Sequence, residues 1–407
     1  MGKVSRKKLK ISDNLVYAVL VISGLNFMLR GIYILGVFAL IYIAFNHSFI
    51  KTKAIIPIAV FGVFYSLFLF INELGVSDMI KGLLFPVVWL FGYIFATNAS
   101  FSRFMKALVC MAYGMAAHGI LNLVYNISIG NNYMSGQAYD IFTHKLHAAT
   151  AQAANFTMIV ALVFWLVFIQ KNKLLKIISI VVYLVAVYYD VSIGGRTFLI
   201  LSLFSLVFSS VMYISTFLRD RTKRRSAVFI IVILITVFVL VLIAYEFNWF
   251  NISKLFSLSY LNTRLQRGST LMKNDRFDRK LFYLSNILEY PWGGHRISTI
   301  NNISYAHDIW LDTLDEAGIP AFVSLLIFSV CSIARFIRVC FLKSVDVQYR
   351  IVLINFVIIV TAQMFVEPII KSLPVLFFMY LVIDGMLKAC INNEQGRIYR
   401  NENRNVV

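Results

Sequence analysis

The chain has 407 residues, of which 60% are hydrophobic and only 14% are charged. Soluble domains carry about 25% charged residues, so this balance, with a mean hydropathy of +0.78, excludes an ordinary cytoplasmic enzyme and a disordered chain. Lysine and arginine number 38 against 19 acidic residues, a net charge of +19. In a membrane protein that excess indicates cytoplasmic loops and anionic headgroups. No DNA-binding motif is present, so we expect membrane lipid as a partner and no nucleic acid.

Long apolar runs predict twelve membrane spans, because roughly 20 apolar residues cross the bilayer as a helix. The spans lie near residues 14–29, 31–45, 54–71, 83–97, 105–127, 148–169, 174–189, 197–218, 226–247, 319–342, 351–367 and 373–391. The basic N-terminus resembles the start of a signal peptide, but no small-residue cleavage site follows, so we expect the first span to be retained. The predicted fold class is all-α, a single polytopic membrane domain over residues 1–407.

Orientation follows from the positive charges, since lysine and arginine near short loops resist translocation. With the N-terminus inside, every inner segment is basic and both termini are cytoplasmic. The segment between the ninth and tenth spans, residues 248–318, then becomes a large extracytoplasmic loop containing short helices.

That loop is itself unusually basic. A basic loop opposes its own translocation, which indicates an anionic partner outside; the alternative is that a long loop crosses regardless of charge and leaves only a solvated basic face. Arginine suits phosphate better than lysine does, so the arginines favour phosphate recognition. Its lysines and arginines are Lys254, Arg264, Arg267, Lys273, Arg276, Arg279, Lys280 and Arg296.

The end of the loop predicts a short helix over residues 305–317, with Ser304 as N-cap and Gly318 as the stop. His307 would lie in the first turn, where the helix dipole favours the neutral, proton-accepting imidazole. The alternative is a buried histidine that a neighbour satisfies. Helical spacing places His307 on the face of the helix that also carries Leu311, Leu314 and Gly318, so His307 faces the protein. Asp312, Asp315 and Glu316 point elsewhere.

The segment from Asp190 to Thr197 contains a pair of glycines followed by Arg196, at the outer junction of two spans. Gly194 and Gly195 allow the backbone to approach a ligand closely, and Arg196 would begin the next helix, where an anion is favoured. The alternative is an isolated arginine whose side chain extends to the membrane interface.

Metal and nucleotide chemistry have little support in the sequence. His144 and His147, with Asp140 nearby, form only a weak metal motif, and His118 in an apolar span favours packing or a hydrogen bond between helices. No Asp-x-Asp pair, Walker loop or Gly-x-Ser-x-Gly elbow is present. We therefore expect no metal and no cofactor.

Three features of the second half of the chain belong together. They are Arg196 in GGRT, Arg276 ahead of the Pro-Trp-Gly-Gly turn at 291–294, and His307 followed after ten residues by Gly318. This combination resembles the O-antigen ligase and polymerase superfamily of bacterial surface polysaccharide enzymes. The resemblance implies a metal-independent, inverting glycosyltransferase that acts on the outer side of the bacterial inner membrane. Its donor would be an oligosaccharide on undecaprenyl diphosphate.

The same resemblance assigns roles to individual residues. Arg196 and Arg276 would bind the diphosphate and His307 would take the histidine role, while Arg279 competes with Arg276 for its position. Further substrate contacts would come from the other loop arginines, and the implied protein partners are a chain-length regulator and a flippase of the same pathway. Those other arginines are Arg264, Arg267 and Arg296.

The leading interpretation is a polymerase that joins lipid-linked repeat units into O-antigen or capsular polysaccharide. A ligase that transfers the glycan to lipid A core or another acceptor would need the same residues, and the spacing from Arg276 to Gly293 leaves the subgroup open. The alternative of another class is a transporter or flippase of lipid-linked sugars. Transport favours charged residues inside the spans, and these spans are nearly free of them, with Asp384 an exception.

Overall fold

The computed structural model describes residues 11–46, 52–97, 99–131, 136–218, 228, 232, 275–300, 305–342 and 345–404. Within these ranges the chain is an all-α polytopic membrane protein, as predicted. Nine described helices are long and apolar enough to cross a membrane, and two shorter apolar helices precede them. The ninth predicted span, 226–247, lies outside the described residues except at 228 and 232.

The helices are α1 (Asp13–Leu25), α2 (Gly31–Asn46), α3 (Ile56–Ile71), α4 (Val76–Ala96), α5 (Phe101–Ser128), α6 (Ala149–Ala153), α7 (Thr157–Phe164), α8 (Lys173–Ile193), α9 (Arg196–Phe217), α10 (Asp275–Ser285), α11 (Arg296–Ile300), α12 (Ile309–Cys340), α13 (Val347–Val366), α14 (Ile369–Ser372) and α15 (Pro374–Arg404). Two short antiparallel strands, β1 (Gln137–Tyr139) and β2 (Leu146–Ala148), lie between α5 and α6, with Ala138 opposite His147.

The chain divides into two compact units. The first comprises Met1–Gly114, Asp278–Val345 and Pro368–Val407, and the second comprises Met115–Phe277 and Asp346–Glu367.

In the first unit α4 packs closely against α15. The two helices approach at Gly92 and Gly385, where a Cβ atom would lie 2.1 Å from the carbonyl oxygens of Val382 and Trp89 respectively. Small residues at such a crossing let two backbones come together, which is how helices associate in a membrane.

A buried ion pair joins α12 to α15 in the same unit. The guanidinium of Arg335 donates from Nε and Nη2 to the carboxylate of Asp384 at 2.8 and 2.6 Å, and Trp89 and Ser332 donate to the same carboxylate. Asp384 is therefore fully paired. Arg335 is 9% exposed and lies inside α12.

In the second unit α7, α9 and α13 pack around one polar contact. The amide of Asn355 donates to the Ala161 carbonyl at 2.7 Å and to the Ser205 hydroxyl at 2.8 Å. Helix α8 continues beyond its predicted end at residue 189 and includes the buried Asp190. The spans therefore contain more charged residues than predicted.

Candidate functional site

Two sequence motifs of the first unit form one hydrogen-bonded structure. Gly293, Gly294 and Gly318 all have positive φ, near 80°, 78° and 73°. The Gly294 N–H donates to the Glu316 carbonyl at 3.1 Å, and the Ile319 N–H donates to the Pro291 carbonyl at 2.8 Å. The Pro-Trp-Gly-Gly turn is therefore fixed against the kink that Gly318 introduces into α12. We call these two segments, residues 291–295 and 315–319, the interlock.

Helix α3 holds both segments of the interlock. The Asn72 amide donates to the Trp292 carbonyl at 2.8 Å, and the Trp292 ring stacks on Phe68. One helical turn earlier on the same side, the Tyr65 hydroxyl donates to the Glu316 carboxylate at 2.8 Å. The interlock thus has a rigid support inside its own unit.

The structure places His307 before a helix rather than in its first turn. Asp308 is the N-cap of α12, and its carboxylate accepts the N–H groups of Trp310 and Leu311. The prediction that the helix starts at residue 305 is wrong, because an aspartate one residue after the histidine caps the helix first. The predicted cap, Ser304, lies outside the described residues.

A carboxylate fixes the loop around His307. Asp312 accepts the N–H of Ala306 at 2.7 Å and the N–H of Asp308 at 2.9 Å. His307 lies between these two peptides with φ near 56°, a conformation that is uncommon for a side-chain-bearing residue. Asp312 therefore holds His307 in a strained turn.

The acidic residues of the 312–316 segment do not point to solvent. Asp312, Asp315 and Glu316 are 7%, 3% and 6% exposed. Helical spacing separates these residues from the face that turns His307 toward the protein, yet each of them has partners inside the protein. Asp312 accepts two N–H groups of the loop just before α12. Asp315 contacts His295 and Ser298, and Glu316 contacts Tyr65 and Lys371. Sequence reasoning missed these contacts.

His295 is the second histidine of this region, and sequence reasoning missed it. Its Nδ1 lies 2.9 Å from Oδ2 of Asp315, whose other oxygen accepts the Ser298 N–H at 3.1 Å. Its Nε2 lies 3.2 Å from Nζ of Lys371. The His295 side chain is 29% exposed, whereas that of Asp315 is only 4% exposed. A buried carboxylate thus orients an accessible imidazole.

Lys371, on α14, lies next to His295 and to the Tyr305 ring that neighbours His307. Its Nζ lies 3.3 Å from the Glu316 carboxylate and 5.7 Å from the centre of the Tyr305 ring, which lies 6.3 Å from the ring of His307. Burial favours the neutral amine, but the Glu316 carboxylate outweighs it and raises the pKa of Lys371 above its usual value. Lys371 is therefore an ammonium group beside the His295 imidazole and the Tyr305 ring.

A small open cleft lies beside this network. Carboxylates line one part of it and the Lys371 ammonium another, so the cleft presents both a proton acceptor and a cation to a polar ligand. Its lining residues are Ile309, Asp312, Thr313, Glu316, Pro368, Ile370 and Lys371.

The arginines predicted from the basic loop have different positions. Lys280 of α10 donates to the Asp308 carboxylate at 2.9 Å, so this helix is tied to the loop that carries His307. Arg276 lies one helical turn before Lys280, and its side chain lies outside the described part. Arg279 is half-buried and Arg296 is exposed. Arg264 and Arg267 lie outside the described residues.

Arg196 belongs to the second unit, where it is the first residue of α9. Gly194 ends α8 with φ near 77°, as the glycine pair predicts. A Cβ atom on Gly195 would lie 2.5 Å from Oδ1 of the buried Asp190, so glycine is needed there. The side chain of Arg196 lies outside the described residues, and its meeting with Arg276 and His307 stays a prediction.

Two members of the weak metal motif of the second unit, Asp140 and His144, have protein partners. His118 contacts Oδ2 of Asp140 at 2.7 Å, and His144 contacts the Tyr125 hydroxyl at 2.7 Å. Burial, above all, lowers the pKa of His147. Among the described residues there is no group of three or more histidine, cysteine or acidic side chains arranged to hold a metal ion.

No protein-family model and no curated protein sequence matches this chain.

Proposed function

We propose that the chain is a membrane glycosyltransferase that polymerises oligosaccharide repeat units carried on a lipid diphosphate. The donor is an undecaprenyl diphosphate-linked oligosaccharide, and the product is an O-antigen or capsular polysaccharide on the outer side of a bacterial inner membrane. The reaction inverts the anomeric configuration and uses no metal.

The interlock is the observation that carries this proposal. The two motif segments that resemble the ligase and polymerase superfamily, 291–294 and His307 to Gly318, are separate in sequence but hydrogen-bonded through Gly294 and Ile319. An ion pair between Lys280 and Asp308 ties α10 to the loop that carries His307. Two separate segments that resemble one family and are hydrogen-bonded to each other favour a shared role over chance.

The chemistry requires charge stabilisation and one proton acceptor. When the acceptor hydroxyl attacks the anomeric carbon, the diphosphate leaves with the bonding electrons. Arg196 and Arg276 would stabilise that growing charge, an effect worth about 2.7 to 4 kcal/mol for each preorganised donor. A base that takes the hydroxyl proton contributes about 10²- to 10⁴-fold. The resemblance implies the family's histidine role at this site for His307.

The test is incubation of the purified protein with a lipid diphosphate-linked repeat unit, without nucleotide or added metal. A ladder of lengthened lipid-linked products supports the polymerase. Transfer only to a separately added acceptor would instead indicate the ligase, and movement of the substrate between leaflets without transfer would indicate a flippase.

Variants separate catalysis from a scaffold role. We expect Arg196→Ala, Arg276→Ala and His307→Ala each to lower the rate at least 10²-fold while the protein still accumulates in the membrane. His144→Gln is the matched control, because this histidine bonds to Tyr125 in the second unit and is expected to keep full activity. Full activity in all three test variants would contradict the proposal.

A further inference from the structure

We propose that His295, oriented by Asp315, is the imidazole that accepts the proton of the acceptor hydroxyl in this reaction. The inference rests on the proposed glycosyl transfer and assigns its proton acceptor to a residue outside the family-like motifs. It follows from two contacts of one side chain, with Asp315 and with Lys371, and from the 29% exposure of that side chain.

The first contact fixes which nitrogen can accept a proton. A carboxylate 2.9 Å from Nδ1 accepts its N–H, which leaves the lone pair on Nε2. The Ser298 N–H occupies the other oxygen of Asp315 and prevents that carboxylate from turning. Asp315 also stabilises the imidazolium that forms when Nε2 takes a proton. This is the arrangement in which a buried acid orients a general base.

The second contact marks Nε2 as a hydrogen-bond acceptor. The Lys371 ammonium lies 3.2 Å from Nε2 and can donate to its lone pair. The Glu316 carboxylate, 3.3 Å from the same ammonium, can retain Lys371 when a substrate hydroxyl takes its place at Nε2. Lys371 is 36% exposed, so this exchange needs no opening of the core.

The carboxylates nearest to His307 in the chain have other tasks. Asp308 caps α12 and binds Lys280, and both oxygens of Asp312 accept backbone N–H groups. They hold the position of the His307 backbone.

The proposed step is balanced by the groups named. The acceptor oxygen forms a bond to the anomeric carbon while its proton passes to Nε2 of His295. The bond between the anomeric carbon and the diphosphate oxygen breaks, and its electron pair leaves with the diphosphate. The imidazolium, paired with Asp315, then releases its proton to water.

The test compares the pH dependence of kcat for the wild type, His295→Gln and His307→Gln with the lipid diphosphate-linked repeat unit. We expect His295→Gln to lower kcat about 10²- to 10⁴-fold, to leave KM within about threefold, and to abolish the acidic limb of the profile. His307→Gln should retain that limb. If His295→Gln keeps both the rate and the limb of the wild type, the inference is overturned.

The variant Asp315→Asn tests whether the Asp315 carboxylate orients His295. It keeps the hydrogen bond from the Ser298 N–H, which the amide oxygen can still accept. We expect a lower kcat with an unchanged melting temperature, since an amide cannot stabilise the imidazolium. An unchanged kcat would count against the pair. Asp278→Asn, on the exposed surface of α10, is the matched control.

A measurement without turnover separates this inference from the proposed function. In ¹⁵N-histidine spectra, the signals that disappear in His295→Gln belong to His295, and we expect the tautomer protonated at Nδ1. The tautomer protonated at Nε2 would overturn the inference even in an active enzyme. Failure of the wild type to transfer sugar, with the expected tautomer present, would overturn the proposed function instead.

Discussion

Gly318 adopts a backbone conformation, φ 73° and ψ −176°, that is essentially restricted to glycine. A Cβ atom there would lie 2.5 Å from the Pro291 carbonyl oxygen, which is itself part of the interlock. The sequence predicted a helix stop at this glycine. The structure instead has a kink at Gly318, after which α12 continues. Ile319 donates its N–H to the Pro291 carbonyl, and this bond does not interrupt the helix that follows.

Gly318→Ala should therefore destabilise the protein by about 1 to 3 kcal/mol from backbone strain, with a further cost from the collision with Pro291. The measurement is thermal unfolding in detergent. Gly75→Ala is the control, since Gly75 has φ near 70° but a Cβ atom added there would have no heavy atom within 4 Å beyond its chain neighbours. Equal losses for the two variants would show that the interlock does not require glycine at 318.

The ion pair of Arg335 and Asp384 gives a second test on single residues. Asp384→Leu leaves a buried guanidinium without its carboxylate and should cost about 3 to 5 kcal/mol. The double variant Arg335→Met with Asp384→Leu removes both charges and should recover most of that loss. The unfolding midpoints of the two variants, measured in one detergent, test this expected recovery. A double variant less stable than Asp384→Leu would refute it.

His295 and Asp315 show why the candidate site could be predicted only in part. The positions of His307, Gly318 and the glycine turn follow from motifs, which are local in sequence. The pairing of His295 with Asp315 spans twenty residues and depends on the kink at Gly318, while Lys371 comes from a helix more than fifty residues later. No periodicity in the sequence encodes such a contact.

At the scale of elements, α5 carries a polar face that binds the hairpin of β1 and β2. His118, Asn122 and Asn126 follow one another at intervals of four residues, and their side chains bond to Asp140, Ile141 and Tyr139 of the hairpin segment. The sequence predicted for His118 either packing or a bond between helices. Its observed partner lies on a loop, which hydropathy cannot reveal.

Asp140 should make this attachment sensitive to acid. Burial alone would raise the pKa of its carboxyl group, but the bonds from His118 and Thr143 outweigh burial and hold that pKa well below the ordinary 3.8. A carboxyl group whose pKa is depressed by folding stabilises the protein above its unfolded pKa, and this contribution is lost as the pH falls further.

We therefore expect Asp140→Asn to lower the melting temperature at pH 7, and the difference from the wild type to shrink below about pH 4. Melting temperatures of both proteins between pH 3 and pH 7 provide the measurement. A difference that is constant over this range would contradict the role of the charged carboxylate. Asp346→Asn, at the N-cap of α13, controls for loss of an aspartate elsewhere.

At the scale of the whole molecule, hydropathy predicts the spans well because each helix must meet the demands of lipid on its own. Eleven of the twelve predicted spans coincide with helices in the described part of the chain, and the ninth falls largely outside it. The boundaries are less accurate where polar residues lie inside a helix. Asp190 in α8 and the acidic start of α12 are examples. Hydropathy ends a predicted span at such charged residues, whereas partners or nearby glycines in the folded chain accommodate them inside a helix.

Orientation in the membrane is the prediction on which the outward-facing site depends. The basic inner segments favour cytoplasmic termini, so the connection between α7 and α8 should lie inside and the segment after α10 should lie outside.

Cysteine substitutions at two exposed positions distinguish the two sides of the membrane, Lys171→Cys before α8 and Glu289→Cys after α10. In intact cells, a membrane-impermeant maleimide should label only Glu289→Cys, and permeabilisation should allow labelling of Lys171→Cys. The unsubstituted chain gives the background, because its four cysteines lie within helices. The reverse pattern would turn His295 and His307 toward the cytoplasm, where the lipid-linked sugar would have to be used before translocation.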